Sequence, residues 1–290
     1  MIRGGAALLG IAAVACGIAL ATIATREGGT FAATPSTVVA VPRAIVTAVF
    51  PSSERVPANL LKFYIHFSRP MMRGEVGKRV ALLDERGQPL GNVFLHADEN
   101  EELWDPSGRR LTLFLDPGRI KRGLMPNRQL GAPLEAGRRY TLRIDPGWPD
   151  AEGVPLKSGF SRAYVAVAAD RTSPRLSEWL LNVPRAGSTD PVRLGFPESL
   201  DSALSLDSIV VVNGSGARVP AVPSLAHGER ELAIVPARRW QAGRYEIRVK
   251  TRLEDLAGNN LNRPFDVEIS SGNPSLRPER SEEVLRFQIG

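Results

Sequence analysis

Two stretches of the sequence decide the fold: AGRRYTLRI at residues 136–144 and AGRYEIRV at residues 242–249. In each, apolar and polar residues alternate from the tyrosine onward, which predicts a half-buried strand. An aspartate follows each tyrosine by ten residues, and a glycine follows each aspartate by three. Because Asp accepts backbone N–H bonds and Gly permits positive φ, these residues predict a tight turn rather than a binding site. The residues of this signature are Tyr140, Asp150, Gly153, Tyr245, Asp255, Gly258 and Asn259.

Three further pairs of apolar segments occur in the same order in the two halves of the chain. They are LKFYIHF (61–67) with VRLGF (192–196), VALLD (80–84) with IVVVN (209–213), and LTLFL (111–115) with LAIV (232–235). Short strands at this spacing, with turn residues between them and no sustained helical period, predict an all-β protein. We therefore expect two tandem immunoglobulin-like antiparallel β-sandwiches, at residues 44–168 and 172–290.

The same segments resemble the bacterial Ig-like domains of surface-layer and other exported proteins. FSRPM (67–71) matches the end of an early strand in that family, and LEDLAGNNL (253–261) matches its final turn. The second copy departs from the first pattern with FPES (196–199), and the first copy departs from the last with DAEGV (150–154). The resemblance implies an Ig-like fold in two copies and an extracytoplasmic setting. It implies no particular ligand, because such sandwiches carry unrelated functions.

The first 24 residues are of a different kind. Arg3 precedes twenty residues without a charge, GAALLGIAAVACGIALATIA (5–24), which predicts a signal peptide or an N-terminal membrane anchor. Ala19-Leu20-Ala21 fits a cleavage site, and Cys16 stands in a degenerate lipoprotein box, so cleavage, retention and lipidation all stay open. The small, proline-punctuated residues 25–43 predict a flexible tether.

Composition narrows the class of protein. Hydrophobic residues at 43% are enough for a buried core, and 27 Gly with 23 Pro fit many turns. Beyond residue 24 there is no cysteine, so no disulfide can form there. The formal charge of +6 favours anionic surroundings. Basic residues and aromatics are not interleaved as on a nucleic-acid-binding face, so we expect no nucleic acid partner.

The two copies differ most in their loops. From Phe67 to Tyr140 the chain advances 73 positions, but only 49 from Phe196 to Tyr245, so the first copy carries the longer loops. One loop is acidic, at 98–102, and another is basic. Loops on a rigid sandwich commonly hold binding residues, and the alternative is that the opposite charges simply pair with each other. The candidate binding residues are Arg119, Lys121, Arg122, Arg128 and Trp104.

Catalytic and metal-binding motifs are absent from the sequence. It contains no nucleophile elbow, zinc-protease helix, phosphate-binding loop or Cys–His pair. The histidines His66, His96 and His227 do not stand at metal-ligand spacing, and the acidic loop lacks the glycine of a calcium loop. We therefore expect no enzyme, no metal and no cofactor.

Two functions are preferred, and a hydrolase ranks third because nothing in the sequence singles out a pair of catalytic carboxylates. The first is a non-enzymatic module protein, exported to the periplasm or cell surface or anchored by its N-terminus, with an adhesive, spacer or envelope-associated role. The alternative is a glycan-binding or small-ligand-binding accessory protein that uses the insertion of the first copy. Envelope polysaccharide, an anionic membrane surface and another surface protein are the partner classes that fit.

Overall fold

The computed structural model describes residues 42–95, 101–266 and 280–290. Contacts divide the chain into Met1–Val41 and a compact unit, Pro42–Gly290. The predicted export segment and all but the last two residues of the predicted tether lie outside the described residues. In the described ranges, no helix is both long and apolar enough to cross a membrane.

Strands from the first half of the described chain form two four-stranded sheets, ordered β1-β3-β6-β5 and β2-β8-β7-β4. We call this pair of sheets the first sandwich. Its strands are β1 Val46–Phe50, β2 Arg55–Pro57, β3 Lys62–Phe67, β4 Val80–Leu83, β5 Leu103–Trp104, β6 Arg110–Phe114, β7 Arg139–Ile144 and β8 Phe160–Val167. Its short helices are α1 Val76–Arg79, α2 Pro117–Ile120 and α3 Met125–Leu130.

The second sandwich has sheets ordered β12-β13-β10-β9 and β11-β14-β15. Its strands are β9 Leu180–Asn182, β10 Val192–Gly195, β11 Ile209–Asn213, β12 Ala221–Ala226, β13 Glu231–Pro236, β14 Gly243–Lys250 and β15 Glu282–Ile289. A 3-10 turn at Leu176–Glu178 precedes β9, and α4 Ser202–Ser208 precedes β11.

The strand order is the same in both sandwiches. The order β9-β10-β13-β12 repeats β1-β3-β6-β5, and β11-β14-β15 repeats β4-β7-β8. The exception is β2, which pairs in parallel with the end of β8. All other strand pairs in the described sheets are antiparallel. The predicted all-β fold with two Ig-like sandwiches is confirmed.

Each sandwich encloses its own core. The core is formed by alternate residues of each strand, whose side chains point inward. On β3, Phe63, Ile65 and Phe67 are buried, as the period-two pattern predicts. On β14 the buried positions are those of the signature, beginning at Tyr245. Among the described residues, the first core begins at Ala44 and the second ends at Ile289.

Candidate functional site

The two sandwiches meet in a contact that we call the junction. The backbone N–H of Leu61 donates to the Leu256 carbonyl at 2.9 Å, and Leu256 packs against the first core. A Cβ at Gly258 would lie 2.4 Å from Leu61 Cδ2. The signature turn of the second sandwich is therefore pressed directly against the first. At the junction, residues of the first sandwich meet residues of the second, namely Leu61, Lys62 and Tyr64 with Asp201, Glu254 and Leu256.

Two carboxylates of the second sandwich hold Lys62. Its ammonium lies 3.0 Å from Asp201 Oδ2 and 2.7 Å from Glu254 Oε2. The Tyr64 hydroxyl donates to the same Asp201 carboxylate at 2.9 Å, and Asp201 also caps α4. The Lys62 and Asp201 side chains are only 9% and 2% exposed. Since little water screens them, these charges attract each other more strongly than a surface pair does.

The network shifts the pKa values of Lys62, Tyr64 and Glu254. Burial disfavours the ammonium of Lys62, but the Asp201 and Glu254 carboxylates outweigh that effect and raise the pKa of Lys62. Burial, together with the Asp201 charge, raises the pKa of Tyr64. Burial also raises the pKa of Glu254, against the attraction of Lys62. At neutral pH the ammonium of Lys62 stays charged and the phenol of Tyr64 stays a hydrogen-bond donor.

A second polar contact crosses the junction at Glu229. The backbone N–H of Ser52 donates to its two carboxylate oxygens at 3.1 and 3.0 Å, and the Ser52 hydroxyl donates to one of them. Burial raises the pKa of Glu229, against these hydrogen bonds from Ser52. The two polar contacts fix the relative position of the sandwiches at two separate points.

Three carboxyl groups gather beside the junction at Asp170, Glu198 and Asp255, which we call the acidic cluster. One oxygen from each lies within 4.8 Å of the others, and among the described residues this is the one such group that could hold a metal ion. Burial raises the pKa of Glu198 to about 9, helped by the Asp255 charge and a hydrogen bond to Asp170. Burial raises the pKa of Asp255 to about 7, against hydrogen bonds from Asn259. The cluster can therefore retain a proton near neutral pH.

The signature residues build two equivalent turns. Asp150 Oδ1 accepts the N–H groups two and four positions later, at 3.1 and 2.9 Å. Asp255 Oδ1 does the same at 2.7 and 3.0 Å. Gly153 and Gly258 share a φ of +84°. Asn259 adds a side-chain hydrogen bond to Asp255 at 2.7 Å, which the first turn lacks because its sequence has Val154 there.

The two signature tyrosines are buried at the start of their strands. The Tyr140 hydroxyl accepts the backbone N–H of Glu135 at 2.9 Å, and the Tyr245 hydroxyl donates to the Gln241 carbonyl at 3.0 Å. Each hydroxyl ties its strand to the loop before it.

The prediction that Arg119 belongs to an exposed binding surface is wrong. Its side chain is buried and donates to backbone carbonyl groups of two loops of the first sandwich, including those of Asn92 at 2.9 Å and Gly131 at 3.1 Å. Carbonyl groups in a loop have no neighbouring strand to donate a hydrogen bond to them. The five N–H groups of arginine can satisfy several such carbonyls. Arg119 is a structural clamp.

The other four candidates differ in their contacts. Trp104 packs against Phe67 and Trp148 and donates to Glu102, so its ring is engaged in contacts within the first sandwich. Lys121 lies 4.4 Å from the ring centroid of Phe265.

Arg122 and Arg128 have different surroundings. Arg122 forms a 2.7 Å ion pair with Asp266, which Arg171 also contacts at 3.2 Å. Only Arg128 of the five candidates is exposed with no ion pair among the described residues. The basic loop is thus used largely for internal contacts.

Sequence reasoning missed the junction. Tyr64 and Lys62 alternate with the core residues of β3, and this pattern normally marks a solvent-facing side. One signal was present in the sequence. When the two copies are aligned on Phe67 and Phe196, Arg69 of the first corresponds to Glu198 of the second, and this reversal of charge marks the acidic cluster.

No protein family model matches the chain, and no curated protein matches it. Solved structures that are similar include native alpha-2-macroglobulin from Escherichia coli, at 10% identity and TM-score 0.28 over 71% of this chain and 65% of that one. The S-layer protein rSbsC has 10% identity and TM-score 0.30 over 71% of this chain and 23% of that one. The tandem Ig repeats of Dlar have 13% identity and TM-score 0.22, over 70% and 88%. The chain spans less than two thirds of the first two structures.

Proposed function

We propose that this protein is a non-catalytic, extracytoplasmic module protein of the bacterial Ig-like type that acts as a spacer of fixed geometry in the cell envelope. Its two modules span residues 44–168 and 172–290. The observation that carries the proposal is the buried Lys62–Asp201 contact, which joins the modules. Its adhesive or envelope-associated role follows from holding its loops in one orientation.

The junction differs from the usual contact between consecutive modules. Neighbouring domains in one chain usually move relative to each other unless their interface is large and hydrophobic. Here the interface contains buried charges, and each charge has a partner from the other sandwich. A displaced junction would leave Asp201 and Lys62 unpaired in a dry environment, which is costly. Large relative motion is therefore disfavoured.

The chain between the modules is also held. Asn59 accepts the backbone N–H of Asp170 at 2.8 Å, and the Asn259 side chain donates to the Asp170 carbonyl at 3.4 Å. One asparagine comes from each module, so the linker is fixed from both sides. These two hydrogen bonds on the linker add to the stiffness that a spacer requires.

The test of fixed geometry is a distance distribution between two spin labels on the full-length chain. Cys16→Ser removes the one native cysteine, and Arg143→Cys and Val222→Cys introduce one exposed label in each module. We expect a single narrow distribution that Lys62→Met broadens. Arg69→Met, which breaks an ion pair inside the first module, is the control and leaves it narrow. A broad distribution without any junction variant overturns the spacer function.

Location is tested separately. Cell fractionation and protease digestion of intact and permeabilised cells are expected to find both modules outside the cytoplasm. Recovery of the untruncated chain from the cytosol overturns the proposed location.

A further inference from the structure

The longest insertion of the first sandwich ends in an exposed apolar tip. The chain needs only residues 237–242 to pass from β13 to β14, but residues 115–138 from β6 to β7. Helix α3 in this insertion contributes no buried residue. Leu124, Met125 and Leu130 are 45%, 61% and 54% exposed. We call these three residues and Arg128 the insertion tip.

The tip is held in place by polar contacts and not by burying its apolar side chains. Arg119 donates to the carbonyls of Leu130 and Ala132 at 3.3 Å each, and the Asn127 side chain donates to the Arg119 carbonyl at 2.6 Å. Ile120 anchors the base of the insertion in the first core. The backbone clamp leaves the apolar side chains of the tip facing outward on an ordered support. Exposed apolar groups that lie together on such a support commonly mark an interaction site.

The middle of the insertion carries only positive charge. Residues 117–134 contain four basic residues and no aspartate or glutamate. Arg122 is paired with Asp266, but Arg128 stands among the apolar residues of the tip. Apolar side chains with an arginine beside them form the arrangement of an interfacial lipid contact, in which the apolar groups enter the acyl boundary and the guanidinium reaches lipid phosphates.

We propose that the insertion tip docks onto the surface of an anionic lipid bilayer. The proposal rests on the envelope location proposed above, which places the modules near a membrane. Docking orients the first sandwich relative to the bilayer, and the junction passes that orientation on to the second sandwich.

A lipid surface fits the tip better than a protein partner does. A stable protein interface buries about 800 Å² on each side and involves roughly 20–30 residues, but the apolar part of the tip is three side chains. Interfacial lipid binding requires a much smaller contact area when a second element already holds the protein at the membrane. Since Arg128 is exposed at the tip and residues 117–134 contain no aspartate or glutamate, binding of the tip should increase with anionic lipid.

The test uses full-length Cys16→Ser protein reconstituted with vesicles of phosphatidylcholine and phosphatidylglycerol that contain a spin-labelled lipid. An environment-sensitive fluorophore is placed at Gln129→Cys, which leaves the apolar tip and Arg128 intact, and in a second protein at Val222→Cys. We expect the Gln129 fluorophore to shift to the blue and to be quenched on anionic vesicles, and the Val222 fluorophore to remain unquenched.

Two variants in the Gln129-labelled protein separate the contributions. Met125→Ser is expected to abolish most of the quenching, and Arg128→Gln to weaken lipid binding of the tip about fivefold. High salt should weaken it in the same direction.

A Gln129 fluorophore as water-exposed as that at Val222 overturns the proposal. The tip would then be interpreted as a contact site for a protein partner. This outcome does not depend on fractionation, so failure of lipid docking is distinguishable from failure of the envelope location.

Discussion

The signature turns of the first and second sandwiches have the same backbone and different surroundings. In both, an aspartate oxygen accepts two backbone N–H groups, and a glycine follows at φ +84°. Met71 bridges to Asp150 and Leu200 bridges to Asp255, so the residues two positions earlier are structurally equivalent. Those residues are Arg69 in the first sandwich and Glu198 in the second.

This single exchange changes what each turn does. Arg69 Nε lies 3.0 Å from Asp150 Oδ2, which neutralises the buried carboxylate within the module. Glu198 instead adds a second acid beside Asp255. The first turn pairs its carboxylate with a cation inside its own sandwich, whereas the second gathers three carboxyl groups beside the contact between the sandwiches. A repeated motif can therefore keep its backbone role while its side chains acquire a role in assembly.

The largest expected effect comes from removing the cation that binds the second turn to the first sandwich. Lys62→Met leaves Asp201 and Glu254 without their cation, and breaking a buried pair on one side costs about 3–5 kcal/mol. We expect the free energy of unfolding, measured by urea denaturation, to fall by that amount. Arg69→Met is the matched change at the first turn, and it should cost less because water reaches the Arg69 side chain, which is 27% exposed. Equal losses in the two variants would contradict the distinction between the turns.

Gly153 and Gly258 allow the packing around the two signature turns to be compared. Gly153→Ala introduces a Cβ with nothing within 4 Å, so its cost is the left-handed backbone alone, about 1–2 kcal/mol. At Gly258 the Cβ also meets Leu61 at 2.4 Å, and overpacking adds about 1–3 kcal/mol. Urea denaturation of both variants measures the difference. Leu61→Ala combined with Gly258→Ala should recover part of the added loss, and a purely additive result would show that the contact is not the cause.

Local chemistry explains why the fold could be predicted and the junction could not. The strands follow from period-two alternation and the turns from Asp and Gly, because both depend on residues close in sequence. The role of Tyr64 depends on a partner 137 positions away. From the pattern of β3 alone, Tyr64 is expected to face solvent. In the structure the second sandwich covers it.

The basic loop shows the same limit of prediction from sequence. Charge and loop position indicated Arg119 as a binding residue, because arginines in loops are usually exposed. The structure buries it, since carbonyls of two loops of the first sandwich need donors. Composition identified where the two copies differ, but only the hydrogen-bonding requirement of the backbone decides which arginine is used inside. Arg128, nine positions later, stays exposed.

A pH dependence of stability is also expected at the second turn. Glu198 faces Asp170, Asp255 and Glu178, and Arg55 and Arg230 line the same cavity. Burial, with the charge of Asp255, raises the pKa of Glu198 from 4.5 to about 9. Between these values the folded protein keeps a proton that the unfolded chain has released.

Folding stability therefore falls as the pH rises through that window, because the folded state binds more protons than the unfolded state. Asp255, whose pKa burial raises to about 7, contributes in the same sense only at lower pH. Glu198→Gln should consequently flatten the decline between pH 7 and pH 9 and make the protein more stable than the parent at the upper end. Urea midpoints measured across this range test it. A slope that Glu198→Gln leaves unchanged would show that the acidic cluster does not retain a proton, and the electrostatic difference between the two turns would then rest on Arg69 alone.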